Sequence, residues 1–291
     1  MKILMFYSYK GGSGRTVAAA NVAAALAKIG KRVAIIDLDF EAPGLQQVFG
    51  VDQTASSTSG LGIQSYLKGD ISFSELRSVA TIDILKEFGN KSVFERPRVP
   101  KDAKLLFIVA STRVTLLDAS DPEVGDRMKA LAQALENEGI EYLLIDAASG
   151  IREAFSIALD ACHEILVFFR WSKQHVAGAI RMVEFLKSLR KRRRDKPFRL
   201  IASATPDELE FTHVTDERLR DELIGIKSDT KKIISEKLKE CDIDPPEVFY
   251  DIPEFLEMKW REGIVVFRDS NSPYEALALK LAESDIPITP Q

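Results

Sequence analysis

The sequence predicts an α/β fold, a mostly parallel twisted sheet with helices on both faces. Three observations carry that expectation. Short apolar runs recur along the chain, helix-forming stretches separate them, and a glycine-rich loop joins the first run to the first helix. Apolar runs without alternation read as strands buried on both faces, and helices between them read as crossovers of a parallel sheet.

The elements follow in order. Residues 2–7 (KILMFY) form the first strand, and the loop KGGSG follows at residues 10–14. Residues 17–28 (VAAANVAAALAK) are Ala-rich and predict a helix, with Gly30 placed to cap its end. Residues 32–36 (RVAII) form the second strand. Strand, loop, helix and strand make a βαβ unit, whose two strands run parallel. Further strands are expected at 104–109 (KLLFIV), 142–145 (YLLI, ending at Asp146), 164–169 (EILVFF), 198–202 (FRLIA) and 248–252. Helices are expected over 126–138, 174–190 and 273–282.

Two stretches break this rhythm. Residues 54–60 (TASSTSG) are a polar, low-complexity loop, and residues 82–102 mix charge, Pro and Gly as a surface insertion does. Neither has the character of a linker, so the 291 residues read as one domain. Apolar residues at 45% and charged residues at 29% supply a sizeable core under a soluble surface.

Bulk properties exclude several function classes. A net charge of −4 rules out a general polycation, so nucleic-acid contact would need a local patch. The two cysteines, Cys162 and Cys241, belong to no CxxC or Cys/His cluster and read as small buried hydrophobes. The apolar start is too short for a signal peptide, no stretch is long enough to span a bilayer, and the acidic tail is no basic amphipathic anchor. The expected location is the cytoplasm, with no membrane anchor.

The glycine loop carries the chemistry. Backbone N–H groups that converge at a helix N-terminus bind an anion, and Gly11, Gly12 and Gly14 permit the tight path this needs. Thr16 opens the helix with a hydroxyl placed to ligate Mg²⁺. The usual phosphate-loop pattern is G-x-x-x-x-G-K-[ST]. Here Tyr9 stands where the first glycine would be, and Arg15 where the lysine would be. Asp37 and Asp146 each end a predicted strand, at the edge where open α/β sheets bind ligands.

With Lys10 directly before its glycines, the loop resembles the deviant Walker A motif of the ParA/MinD-like ATPases, in the branch with a KGGVGR-type loop. The segment DLDFEAPGL at 37–45 is similar to the switch I segment of that superfamily, and LLIDAASG at 143–150 to its Walker B and switch II segment. The resemblance is specific over about the first 50 residues and around Asp146, and diffuse elsewhere. It implies an ATP site built from Lys10, Gly11, Gly12, Ser13, Gly14, Arg15, Thr16, Val17 and Gly150. Lys10 matches the lysine that reaches a partner's phosphates across an ATP-sandwich dimer, and Arg15 the lysine on the β- and γ-phosphates. Thr16, Asp37 and Asp146 match the Mg²⁺ side of the site, Asp39 the group that positions the attacking water, and Gly150 the N–H that senses the γ-phosphate. Lys10 and Asp39 are thus the catalytic pair.

Arg15 departs from the family lysine. Its forked guanidinium bridges two oxygens where an ammonium acts as a point charge, so binding and turnover separate. Two function classes follow: a nucleotide-switched, dimerising ATPase that acts on a protein, membrane-bound or DNA partner, or a slow ATP sensor in signalling or defence. A tyrosine kinase would carry a Tyr-rich tail, and an iron protein would carry cluster cysteines; neither pattern is present.

Weaker signals have two readings each. Residues 187–196 (KSLRKRRRDK) form a basic run, either a helix C-terminus complementing its dipole or a patch for non-specific DNA. His163, His175 and His213 have no metal spacing. Residues 169–171 (FRW) line the site or an interface, or pack. Thr205-Pro206 and Ile252-Pro253-Glu254 are candidates for the base contact.

Overall fold

The computed structural model describes residues 1–51, 60–89, 98–111, 117–118, 120–190, 196–205, 216–240, 248–254, 263–267 and 272–283, and the structural statements below concern these. Cys241, Pro206, His213, residues 90–97 and residues 191–195 lie outside them.

Eight strands form one sheet: β1 (Lys2–Ser8), β2 (Arg32–Leu38), β3 (Thr81–Asp83), β4 (Lys104–Ile108), β5 (Tyr142–Ala147), β6 (Glu164–Phe169), β7 (Phe198–Thr205) and β8 (Tyr250–Pro253). Their order is β3-β4-β2-β5-β1-β6-β7-β8. All pairs are parallel except β3 with β4 at the edge. The helices are α1 (Arg15–Lys28), α2 (Leu45–Phe49), α3 (Ile63–Lys68), α4 (Phe73–Val79), α5 (Ile84–Gly89), α6 (Pro122–Asn137), α7 (Glu153–Ala161), α8 (Lys173–Arg190), α9 (Glu217–Glu240) and α10 (Pro273–Glu283).

Consecutive residues of β5 and β6 are all buried, and those of β1 and β2 are buried after the first residue. Side chains alternate faces along a strand, so this pattern means that the sheet is covered on both sides. Among the described residues no helix is long and apolar enough to cross a membrane.

Helix α1 is nearly buried all round, which its alanines allow by letting strands and α10 approach closely. Gly30 ends it as expected, at φ +90°, while Lys31 N–H closes on Leu26 O at 3.0 Å. Asn21 is the one polar side chain wholly buried in α1. It donates to Val17 O (2.9 Å) and Gly263 O (3.0 Å) and accepts from Val265 N–H (2.8 Å), pinning residues 263–266 to the helix.

Several elements differ from the sequence expectation. The helix expected from residue 126 begins a turn earlier, because Asp121 caps it by accepting from Glu123 N–H and Pro122 takes its first position. Residues 82–89, at the start of the stretch read as a surface insertion, have regular structure: they complete the antiparallel edge strand and form α5. The periodicity also gave no notice of α7 or α9. Helix α9 is rich in charge and shows the core only a narrow stripe, including Ile234 and Leu238.

Candidate functional site

The site forms where β1, β2 and β5 end. Asp37 and Asp146 are register partners on the adjacent strands β2 and β5, which brings both carboxylates to one edge. Between β1 and α1 the loop turns through Gly12 (φ +75°) and Gly14 (φ +74°), conformations that an L side chain adopts only with strain. Gly14 is the N-cap of α1. No side chain caps that terminus and no acidic residue occupies its first turn, so its N–H groups face an anion-binding position.

A cleft of about 330 Å³ opens there, lined by Gly11 to Val17 together with Ser8, Asp39, Ala42, Gly44, Val48 and Ser149. Every residue of the loop assigned from sequence therefore lines it except Lys10. The Lys10 ammonium is exposed and donates to Gln174 Oε1 at 2.6 Å.

Arg15 points inward, 6% exposed. Its Nε donates to Asp146 Oδ1 (2.5 Å), and its Nη2 to Asp39 Oδ2 (3.1 Å) and Thr16 Oγ1 (3.3 Å). Burial opposes its charge, and the pull of Asp146 and Asp39 outweighs burial, so its pKa stands above the ordinary arginine value. Burial raises Asp146, with Arg15 and Thr16 acting in the opposite direction. Burial likewise pushes Asp37 well up, helped by the Asp146 charge and countered by the backbone N–H groups of Leu45 and Asp39. The guanidinium thus supplies the positive charge among the acidic side chains of the site.

The other predicted residues have definite places. Asp37 accepts from Asp39 N–H (3.0 Å) and Leu45 N–H (3.1 Å), so it holds the 39–45 loop and does not line the cleft. Gly150 (φ +81°) donates its N–H to Ser8 O at 3.2 Å. The loops after β2 and β5 are joined by an ion pair between Glu41 and Arg152. Among the described residues no group of three or more His, Cys, Asp or Glu converges as a metal cluster. Asp146 Oδ2 is nonetheless buried without a hydrogen-bond partner.

Sequence reading missed three supports. Ser203 on β7 donates to Ser13 O in the loop and to Phe169 O (3.3 Å), bracing the loop from below. Tyr9 packs on Gly178 of α8, and Asn21 fixes the far side of α1. Only Asn21, a lone amide in an alanine helix, carried a signal. Trp171 packs against Phe169 and donates to Thr205 Oγ1 (2.9 Å) and Asp251 Oδ1 (3.2 Å), a locked structural role. Glu254 N–H donates to Thr205 O at 2.9 Å, tying the two base-contact candidates together. Lys187 donates to Glu240 O (2.6 Å) and Lys196 to Cys162 O (2.7 Å), so the described ends of the basic run serve main-chain carbonyls. Cys162 is fully buried, its thiol pushed up to about 12 by burial. His163 is hydrogen-bonded through Nδ1 to Ile3 N–H at 3.1 Å.

Comparison with known proteins decides the family. A family model described as an AAA domain matches residues 1–197. MinD, the septum site-determining protein of a Synechocystis strain, is 27% identical over 187 residues, covering 64% of this chain and 60% of that protein. The chain belongs to the ParA/MinD-like P-loop ATPases. Solved structures share the fold over nearly the whole chain. The MinC:MinD complex of Aquifex aeolicus aligns with TM-score 0.65 and 19% identity, over 100% of this chain and 99% of that one. An ATP complex of Cyanothece McdA aligns with TM-score 0.68 and 16% identity, over 97% and 96%.

Proposed function

We propose that this chain is a Mg²⁺-dependent, nucleotide-switched ATPase that dimerises on ATP and acts on a macromolecular partner, with residues 1–291 as one ATPase domain in the cytoplasm. The observation that carries this reading is the cleft itself: a positive-φ glycine loop and an uncapped helix N-terminus, faced by Asp39 and backed by Asp146.

In this reading the loop N–H groups and the α1 N-terminus bind the triphosphate. Arg15 leaves Asp146 and Asp39 for the β- and γ-phosphates. Asp39, once released, orients the attacking water, and the Gly150 N–H exchanges Ser8 O for the γ-phosphate. Lys10 reaches the phosphates of a second chain. Phosphoryl transfer needs little more than such positioning and charge neutralisation.

The residues present fit Mg²⁺. Asp146 Oδ2 is buried without a partner and Thr16 lines the cleft. Thr16 and Asp146 would hold the ion, joined by Asp37 if the 39–45 loop releases it. When bound, Mg²⁺ supplies charge neutralisation at the β- and γ-oxygens.

A protein partner and a homodimer fit the family likeness, and non-specific DNA contact would draw on residues 187–196. The two ion pairs of Arg15 favour a second reading, a sensor that binds ATP and turns it over slowly. Calorimetric titration with ATP and Mg²⁺ tests the shared core of both. Wild type binds one ATP per chain, and Gly12→Val, whose Cβ meets no neighbour but which strains the positive φ, binds far more weakly. No ATP binding by the wild type contradicts both readings.

A further inference from the structure

The two residues that open the phosphate loop both sit on one face of α8. Gly178 faces Tyr9 so closely that a Cβ built there would lie 2.7 Å from Tyr9 Cδ1 and 3.1 Å from Tyr9 Cβ. Gln174, four residues earlier and so on the same face, accepts from the Lys10 ammonium at 2.6 Å. Neither Tyr9 nor Lys10 lines the cleft, whereas the loop residues Gly11 to Thr16 all do.

We propose that Gln174 and Gly178 are positioning residues that present Lys10 to a second molecule. This rests on the dimeric reading above. Gly178 lets Tyr9 lie flat on the helix, which sets where the chain leaves β1. Gln174 then directs the lysine outward, away from its own nucleotide. A neutral amide suits this task. It orients the ammonium without neutralising it, so the full charge stays available for a phosphate. A lysine without such a guide spreads over many rotamers, and the ordering cost falls on association.

Gln174→Met keeps the side-chain length and removes the acceptor. Gly178→Ala adds the methyl that displaces Tyr9. Alanine favours a helix over glycine, so a loss in that variant does not come from α8 itself. ATP affinity at low protein concentration is measured with a fluorescent ATP analogue. ATP-dependent self-association is measured by sedimentation, with Lys10→Ala alongside.

Gln174→Met is expected to keep the wild-type melting temperature, and both variants the one-chain ATP affinity. Their ATP-dependent self-association is expected to weaken about three- to tenfold, the range that one hydrogen bond commands. If the wild type associates on ATP, Lys10→Ala does not, and both variants match the wild type, the positioning role is overturned while the dimeric reading stands. If ATP drives no association of the wild type, both fall together. An equal loss in one-chain ATP affinity also overturns the proposal, since it marks general damage to the loop.

Discussion

Arg15 Nε donates to Asp146 Oδ1 at 2.5 Å, and the same guanidinium reaches Asp39 Oδ2 at 3.1 Å. The residue in the position of the phosphate-binding lysine is therefore paired with the carboxylates of its own site. On the proposed reading, nucleotide binding exchanges these two ion pairs for phosphate contacts.

Removing Arg15 and shortening it have different outcomes. Arg15→Ala leaves the buried Asp146 unpaired, which costs about 3–5 kcal/mol on breaking one side of such a pair. Urea unfolding measures this. Arg15→Lys keeps the charge but replaces the rigid forked guanidinium by a compact ammonium with fewer donors. Fewer contacts then have to be released before phosphate binds. Turnover is expected to rise about tenfold, equivalent to about 1.4 kcal/mol of barrier. Unchanged or slower steady-state hydrolysis in Arg15→Lys would show that Arg15 does not limit the rate.

Asn21→Ala removes an amide that ties α1 to residues 263–266 through both its donor and its acceptor. The part-buried backbone groups left behind lose these partners. The expected loss is about 2–4 kcal/mol in urea unfolding, following the cost of unsatisfied buried groups. A loss below about 0.5 kcal/mol would mean that the tie carries no stability.

His163 makes stability fall in acid. Burial lowers its pKa below 6.5, reinforced by the positive charges of Lys196, the N-terminus and Lys2 and countered by Glu136. The unfolded state therefore binds a proton before the folded state does. The contribution is fully present above 6.5 and is lost as pH falls through the folded value. His163→Asn keeps an acceptor for Ile3 N–H without titrating, so its stability curve is flatter below 6.5. The difference in slope stays under about 1.4 kcal/mol per pH unit, the limit for one proton. Parallel slopes in denaturation at successive pH values would remove His163 from the acid response.

The parts of the fold that sequence revealed are those whose signal is local. Continuous apolar runs marked β1, β2, β5 and β6, and Gly30 marked the end of α1. The loop was legible because glycine spacing and Thr16 express a backbone requirement. Asp37 and Asp146 were legible as strand ends. The inward turn of Arg15 was not, because it depends on the register that sets β2 beside β5. Ser203 and Gly178 were also silent: each matters through one close approach to a loop far away in sequence. Edge strand β3 is too short for a period, and α9 hides its narrow stripe among charges.

The most direct test of the central claim is steady-state ATP hydrolysis with light scattering on the wild type, Lys10→Ala and Asp39→Ala. The expected result is turnover and an ATP-dependent dimer in the wild type. Lys10→Ala loses both, and Asp39→Ala still binds ATP but loses turnover by about 10²-fold or more, as for removal of a group that positions the nucleophile. Wild-type hydrolysis no higher than in both variants, with no dimer on ATP, would contradict the account.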